Sequence, residues 1–134
     1  MAKAPRRQIQ GAIVEVLDMR NEGRGLELAA FNSRALLQQE IHELILTTES
    51  GRGKGSRVDR VSYVGFFEVL LGGMARLGDE VWVGDNLDCR LGVLTGFDLT
   101  HFPNHYNIVL ETTHDVTGLE LGLTVGTPLC FRQA

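Results

Sequence analysis

Apolar and polar residues alternate in short runs along most of the chain, and glycine-containing turns separate the runs. Residues 8–18 are the first example: Ile9, Ile13 and Leu17 share one face, and β-branched residues are frequent, as is typical of a strand. Strands at regular spacing without sustained helices predict an all-β fold, a small and mainly antiparallel β-barrel of six to eight strands. The further predicted strands are a returning hairpin strand at 26–31 and runs at 41–48, 61–69, 81–83, 87–97, 105–112 and 129–132.

At most one or two short helical turns are expected. Asn32 or Ser33 can cap a helix, and Leu37, Ile41 and Leu44 follow at helical spacing. We therefore predict one helical turn over 33–39, before the strand at 41–48. The stretch 117–128 is predicted to be a loop with room for a second turn.

The longest apolar run, residues 61–69, is apolar on both faces, which predicts a central strand or one bent around a small barrel. Gly65 lies in its middle and would let it bend. In a regular strand Arg60 and Glu68 share a face. Charges on so apolar a strand need partners, so we expect a salt bridge to a neighbouring strand or, alternatively, a contact with an anionic ligand.

Length and composition fit one globular domain, since 134 residues with 43% apolar residues can build a core unaided. We assign this domain to residues 8–134, after a flexible tail at 1–7, and expect a mobile glycine-rich basic loop at 49–57. No apolar run is long enough for a transmembrane helix. The basic N-terminus lacks the apolar stretch of a secretory signal, so a cytoplasmic protein without membrane association is expected.

Charge and cysteine content narrow the classes of partner and site. A net charge of −4 is the opposite of the balance usual in nucleic-acid-binding proteins, so a nucleic-acid partner is not expected. Cys89 and Cys130 lie in apolar strand-like segments and are predicted to be buried free thiols. Two cysteines without a CxxC pair exclude a zinc knuckle.

Polar side chains are densest at residues 98–107, a connection longer than a tight hairpin needs. His101 and His105 are four apart, and Pro103 excludes a regular helix between them. In a loop, two such imidazoles can converge on a metal ion, and His42 as a third ligand would suit a divalent transition metal. Alternatively, the histidines lie on the surface or satisfy loop backbone groups. Further candidate ligands are Glu68, Asp98, Glu111 and His114.

The same loop offers groups for catalysis. An imidazole titrates near neutral pH, so His101 and His105 are candidate acid–base groups, and Glu68 is the third candidate catalytic residue. Arg60 is the candidate for binding an anionic group of a substrate. The other candidate substrate-binding residues lie in or beside the loop: Asn104, Tyr106, Asn107 and Asp98.

Strand parity divides residues 104–112 into two faces. Tyr106, Ile108 and Leu110 are predicted to face the core. His105, Asn107 and Glu111 would then line a second surface, which is a barrel mouth, a subunit interface or plain solvent.

The C-terminal half resembles a known family in the spacing of its strands, glycines and one histidine. The residues concerned are 77–79, 93–96, 103–110 and 117–131. This spacing is similar to that of the glucitol/sorbitol-specific IIA component of the sugar phosphotransferase system. The resemblance implies a small β-barrel phosphocarrier. The phosphorylated histidine of that family lies in a strand of the first half, and the corresponding run here, 61–69, has no histidine, so no site residue is carried over.

Three functional hypotheses result. The first is a small-molecule-binding or metal-dependent enzyme barrel with its site around residues 98–107. Its ligand is a small molecule, and an anionic one if Arg60 takes part in binding. The second is a non-catalytic binding or assembly module whose exposed strand edges pair in a homo-oligomer. The third is a barrel related to phosphocarriers.

Overall fold

Seven strands hydrogen-bond side by side in a closed ring, a small all-β barrel, in the computed structural model, which describes residues 4–134. Around the ring the order is β1, β11, β8, β9, β10, β4 and β6, and β6 pairs with β1 to close it. All neighbours are antiparallel except β4 and β10, which are parallel. The ring strands are β1 (Ile9–Asn21), β4 (Ile41–Thr47), β6 (Val61–Leu71), β8 (Glu80–Val83), β9 (Cys89–Asp98), β10 (Asn107–Glu111) and β11 (Pro128–Arg132).

Four short strands form two ribbons outside the ring. β2 (Leu26–Glu27) pairs with β5 (Arg57–Val58), and β3 (Ser33–Leu36) pairs with β7 (Gly73–Arg76). Leu36 and Ala75 from the second ribbon join the main core, so this ribbon packs against the ring interior.

Alternation along the strands fills the ring interior with apolar side chains from every ring strand. A second apolar cluster covers part of the outer surface, where Leu26, Leu28 and Val58 pack on Ile45 and Val109. Strands β4, β6 and β10 are therefore buried on both faces along much of their length. This agrees with the central strand predicted at 61–69.

Gly65 marks a change of face in β6. Before it, Val61 and Tyr63 belong to the outer cluster; beyond it, Phe67 and Val69 point into the ring. The pairing of β6 with both neighbours shifts register here. A Cβ on Gly65 would lie 2.1 Å from the carbonyl oxygen of Glu15, and its φ is +154°, so glycine is required.

This bulge overturns one prediction. Arg60 and Glu68 do not share a face, because the irregularity at Gly65 reverses the parity of the strand between them. Arg60 is exposed before β6 begins, while Glu68 pairs with Ile41 and is partly buried. Within residues 4–134, neither forms a salt bridge.

Two local predictions of secondary structure are also wrong. Residues 33–36 form strand β3 instead of a helical turn, because their backbone groups pair with β7, about forty residues later in the chain. Residues 26–31 do not return along β1; only Leu26 and Glu27 are in a strand, and it pairs with β5. Residues 4–134 contain no helix, and the stretch 117–127 consists of turns and irregular backbone before β11 begins at Pro128.

The tail predicted at 1–7 falls partly outside the described residues. Within it, Arg6 binds Asp79 at 2.5 Å and donates to the carbonyl oxygen of Met74 at 2.8 Å. Both cysteines are free, but only Cys130 is buried; Cys89 is exposed at the start of β9, contrary to the prediction. None of residues 4–134 lies in a helix that could cross a membrane.

The turns at 117–126 fill the place where β1 and β6 diverge. The amide of Gly118 donates to the carbonyl oxygen of Tyr63, and the amide of Leu119 donates to that of Leu17. A Cβ on Gly118 would lie 1.8 Å from the carbonyl oxygen of Val64. Only glycine can come this close to the backbone of β6. Gly118 is therefore the residue that allows the 117–126 segment to pack against both β1 and β6.

We expect Gly118→Ala to destabilise the fold by about 3 kcal/mol, because the added methyl group would overlap the Val64 carbonyl group and displace the backbone of β6. Urea denaturation followed by circular dichroism measures the change. Gly23→Ala is the matched control: nothing lies within 4 Å of its Cβ position, so its effect stays within about 1 kcal/mol. Equal stabilities of the two variants would contradict this account of Gly118.

Candidate functional site

A cleft of about 660 Å³ opens at one end of the ring, where β4 and β10 begin. Its walls are the turn before β4, the loop before β10 and the middle of β1 and β6. The lining residues are Val14, Glu15, Ala35, Leu37, Gln39, Glu40, Ile41, His42, Phe66, Phe102, Pro103, Asn104, His105 and Tyr106.

The parallel pairing of β4 with β10 places the cleft here. Because parallel strands start at the same end, the segments that lead into them meet. Asn107 is in register with Glu43, and the Glu43 amide donates to the carbonyl oxygen of Tyr106 at 3.1 Å. Two segments about sixty residues apart in sequence thus become the facing walls of one cleft.

A tight turn at 37–40 positions the Glu40 carboxylate. Gln39 has φ of +76°, an uncommon conformation for a residue with a side chain, and its amide donates to the carbonyl oxygen of Val69. Oε1 of Glu40 accepts from the Leu37 amide at 2.7 Å and from Nε2 of His42 at 3.1 Å. The turn therefore holds this carboxylate at the edge of the cleft.

His42 is fixed in one tautomer. The backbone amide of Tyr106 donates to Nδ1 at 3.0 Å, so the proton of the neutral ring lies on Nε2, facing Glu40. The ring stacks on Tyr106 with centroids 5.2 Å apart. Burial lowers the pKa of His42, although Glu40 opposes this, so the ring is neutral at pH 7.

His105 lies in the opposite wall and is only 9% exposed. Its Nδ1 faces the side-chain amide nitrogen of Asn104 at 2.9 Å, which places the proton on Nε2. Nε2 lies 3.6 Å from Oε1 of Glu43 and has no hydrogen-bond partner within residues 4–134. Burial and the charge of nearby His101 lower the pKa of His105.

Behind this wall, polar residues form a row across the outer face of the sheet. Register places Asp98 opposite Asn107, Asn107 beside Glu43, Glu43 opposite Phe66 and Phe66 opposite Glu15. Asp98 accepts from Nδ2 of Asn107 at 3.0 Å. The parity prediction for β10 is thus confirmed, but its second surface is covered: Asn107 is completely buried.

Glu43 is the most perturbed acid in this row. Burial raises its pKa to about 7; Arg24 opposes the shift, and Glu15 and Asp98 add to it. Near neutral pH this carboxyl group therefore exchanges a proton next to His105, inside the fold.

Some of the predicted site residues meet at the cleft and others do not. Asn104, His105 and Tyr106 line it, and His42 joins them from β4. Exposed His101 stacks on His105 with centroids 5.0 Å apart. Asp98 and Asn107 are buried behind the wall, whereas the other predicted positions, Glu68, Arg60, Glu111 and His114, are not among the lining residues.

The three proposed metal ligands do not form a ligand set. Both ring nitrogens of His42 are occupied, one by a backbone amide and one by Glu40. In the part of the chain that the structure describes, no group of three or more histidine, cysteine or acidic side chains is arranged to hold a metal ion.

The sequence reasoning missed the acidic and aromatic part of the site. Strict alternation places Glu15 on the same face as Ile13 and Leu17, whereas an irregularity between Ile13 and Glu15 in the pairing of β1 with β6 leaves Glu15 exposed. Glu40 falls between the helical turn predicted at 33–39 and the strand predicted at 41–48. Phe66 and Phe102 resemble core residues. The signal for Glu40 and His42 was available in their spacing: a carboxylate two residues from a histidine at the start of an apolar strand.

Comparison with known proteins identifies a family. Residues 3–132 match the model of a family described as a family of unknown function, DUF6917. No curated protein and no solved structure matched the chain. None of these comparisons links it to the glucitol-specific phosphotransferase component.

The proton on Glu43 predicts a pH-dependent stability. Its pKa is about 7 in the folded chain against 4.5 ordinarily, so the folded state keeps a proton that the unfolded chain loses between these values. As pH rises through this window, the wild type loses stability relative to Glu43→Gln, on the order of 3 kcal/mol in total. Urea denaturation of both proteins at several pH values measures the difference.

His42 titrates in both proteins and cancels in that comparison. His105 lies 3.6 Å from Glu43, so the measured difference reports the coupled pair. Glu22→Gln, at an exposed turn, is the control, and its difference from the wild type stays flat through the window. A flat difference for Glu43→Gln would show that Glu43 ionises normally.

Proposed function

The chain belongs to the DUF6917 family, and we propose that it is a small-molecule-binding protein whose ligand occupies the cleft between the 37–41 turn and the 102–106 loop. The observation that carries this proposal is the cleft itself. Its volume of about 660 Å³ lies in the range typical of small-molecule sites. Its lining combines aromatic side chains with a small number of polar side chains, as such sites usually do.

The aromatic wall of the cleft supports binding of a ligand with a flat or apolar body. Phe102 stacks on Tyr106 with ring centroids 5.5 Å apart, and Tyr106 stacks on His42 at 5.2 Å. Across the cleft, Phe66 meets His105 edge to face at 5.2 Å. Stacked rings are rigid and lose little entropy when a ligand packs against them.

The state of the histidines favours binding over acid–base catalysis at this site. A general base needs a free ring nitrogen within reach of its substrate. Both nitrogens of His42 are occupied, and Nε2 of His105 is buried against Glu43. Exposed His101 lies outside the lining, and Glu68 also does not reach the cleft.

The second candidate is a homo-oligomer, and exposed apolar side chains favour it. The end of β6, the start of β4 and the β7 ribbon are neighbours and expose Leu37, Ile41, Leu70, Leu71 and Met74. Because the ring is closed, its strands have no free edge for pairing, so an interface would form through this apolar patch.

Binding in the cleft is tested by Phe102→Ala. A library of small aromatic and aliphatic probes is screened by nitrogen–proton NMR, and hits are expected to shift the amide signals of cleft residues. Removing the ring weakens those hits about tenfold, because an aromatic contact of this kind is worth about 1.4 kcal/mol.

Leu119→Ala is the matched control, since Leu119 is 59% exposed and Phe102 is 55% exposed, but only Phe102 lines the cleft. The proposal fails if shifts scatter over the surface, or if both variants bind as the wild type does.

Self-association is tested by sedimentation. We expect the double variant Leu70→Glu/Met74→Glu to sediment as a monomer and the wild type as a dimer, because two charges on each copy oppose burial of the patch. The exposed-site control Leu119→Glu keeps the wild-type state. A monomeric wild type at high protein concentration removes this candidate.

A further inference from the structure

Among residues 4–134, the lining of the cleft is acidic and holds no lysine or arginine. Its two acidic residues are Glu15 and Glu40. Its two histidines are neutral at pH 7, because burial lowers the pKa of each. Arg24, whose charge acts on Glu43, is not part of the lining. An anionic ligand would therefore meet two carboxylates and no counter-charge.

Both carboxylates are available to a ligand. Oε1 of Glu40 is occupied by Leu37 and His42, which leaves Oε2 free, and the side chain is 38% exposed. Glu15 is exposed and makes no side-chain hydrogen bond or ion pair within residues 4–134. The first carboxylate is held rigidly by the 37–40 turn, and the second is free to adjust.

Aromatic rings line the same cleft as these carboxylates. Phe66 pairs with Glu15 across strands β1 and β6, and Phe102 and Tyr106 form the opposite wall. Rings attract cations through their negative faces, with about 0.5–2 kcal/mol for each favourable contact. Carboxylates beside several rings are the usual chemistry for recognising an organic cation.

We infer that the cleft selects a protonated amine carried on an apolar or aromatic body. The ammonium group lies between the carboxylates of Glu15 and Glu40, and the body packs on Phe102 and Tyr106. This inference rests on the proposed binding function and adds the ligand class. It also replaces the expectation of an anionic ligand at this site.

Three probes of one shape and different charge test it: 2-phenylethylamine, 2-phenylethanol and phenylacetate. Each is titrated into the full-length protein at pH 7, and affinity is read from the NMR shifts of cleft amides. We expect the amine to bind at least about fivefold more tightly than the alcohol, which corresponds to about 1 kcal/mol, and phenylacetate to bind most weakly.

Charge-removing variants locate the ammonium group. Glu40→Gln keeps an oxygen for Leu37 and His42, and Glu15→Gln changes an exposed side chain, so both variants are expected to fold. Each reduces the amine affinity about threefold to fivefold and leaves the alcohol unchanged. Glu22→Gln removes the same charge at a residue outside the cleft and leaves both affinities unchanged.

The possible outcomes separate this inference from the proposed function. If the alcohol or phenylacetate shifts the cleft amides as strongly as the amine, the amine inference is overturned and the binding function stands. An amine preference that survives both cleft variants also overturns it, because the charge would then act from elsewhere. If none of the three probes shifts cleft amides and the wider library gives no hits there, both proposals fail.

Discussion

Closure of the ring through β6 is the constraint on which the rest of the structure depends. This strand must pair with β1 on one side and β4 on the other, although the odd-numbered residues of its two halves point to opposite sides of the sheet. Gly65 makes the change possible, because any side chain there would collide with the backbone of Glu15. The reversal turns Phe66 to the outer surface, where it meets Glu15 and Glu43. The bulge at Gly65 therefore places Phe66 in the wall of the cleft.

Burial of the outer face of the sheet also removes polar side chains from water. The apolar cluster around Leu28 and Tyr63 shields the outer face of β4 and β10, and Glu43, Asp98 and Asn107 are buried with it. Asn107 donates to Asp98, but among residues 4–134 its own Oδ1 has no partner and Glu43 has only the long contact with His105. A more stable protein would have an apolar residue in place of Glu43. An acid that destabilises its own fold beside a cleft is typical of a functional position.

Much of the fold could be predicted from the sequence, because strands with one or two apolar faces have a strong period. The strands near 8–18 and 105–112 follow from alternation, and the strand at 61–69 follows from an apolar run long enough to bury both of its faces. The errors lie where local signals compete with distant pairing. Ser33 looks like a helix cap, but its segment pairs with residues about forty positions later. Parity counting from Arg60 to Glu68 fails because a bulge inserts one residue into β6 where it pairs with Leu44 and Ile45 of β4.

The candidate site was predictable only in part, for a related reason. The density of polar residues at 98–107 identified Asn104, His105 and Tyr106. It could not identify Glu15 or Glu40, which approach the loop only when the ring closes. The metal hypothesis depended on free ring nitrogens, whereas a backbone amide from Tyr106 occupies His42. Such a backbone contact leaves no pattern in the sequence.

The parallel pairing of β4 with β10 has a consequence for folding. Its contacts join residues about sixty positions apart, so forming this pairing costs more chain entropy than closing a hairpin. Neither wall of the cleft exists in a partly folded chain that lacks this pairing. A bound molecule therefore protects amide hydrogens throughout the ring from exchange with solvent, because only the fully closed state can hold it. Binding of a ligand in the proposed cleft and cooperative folding of the ring are therefore thermodynamically linked.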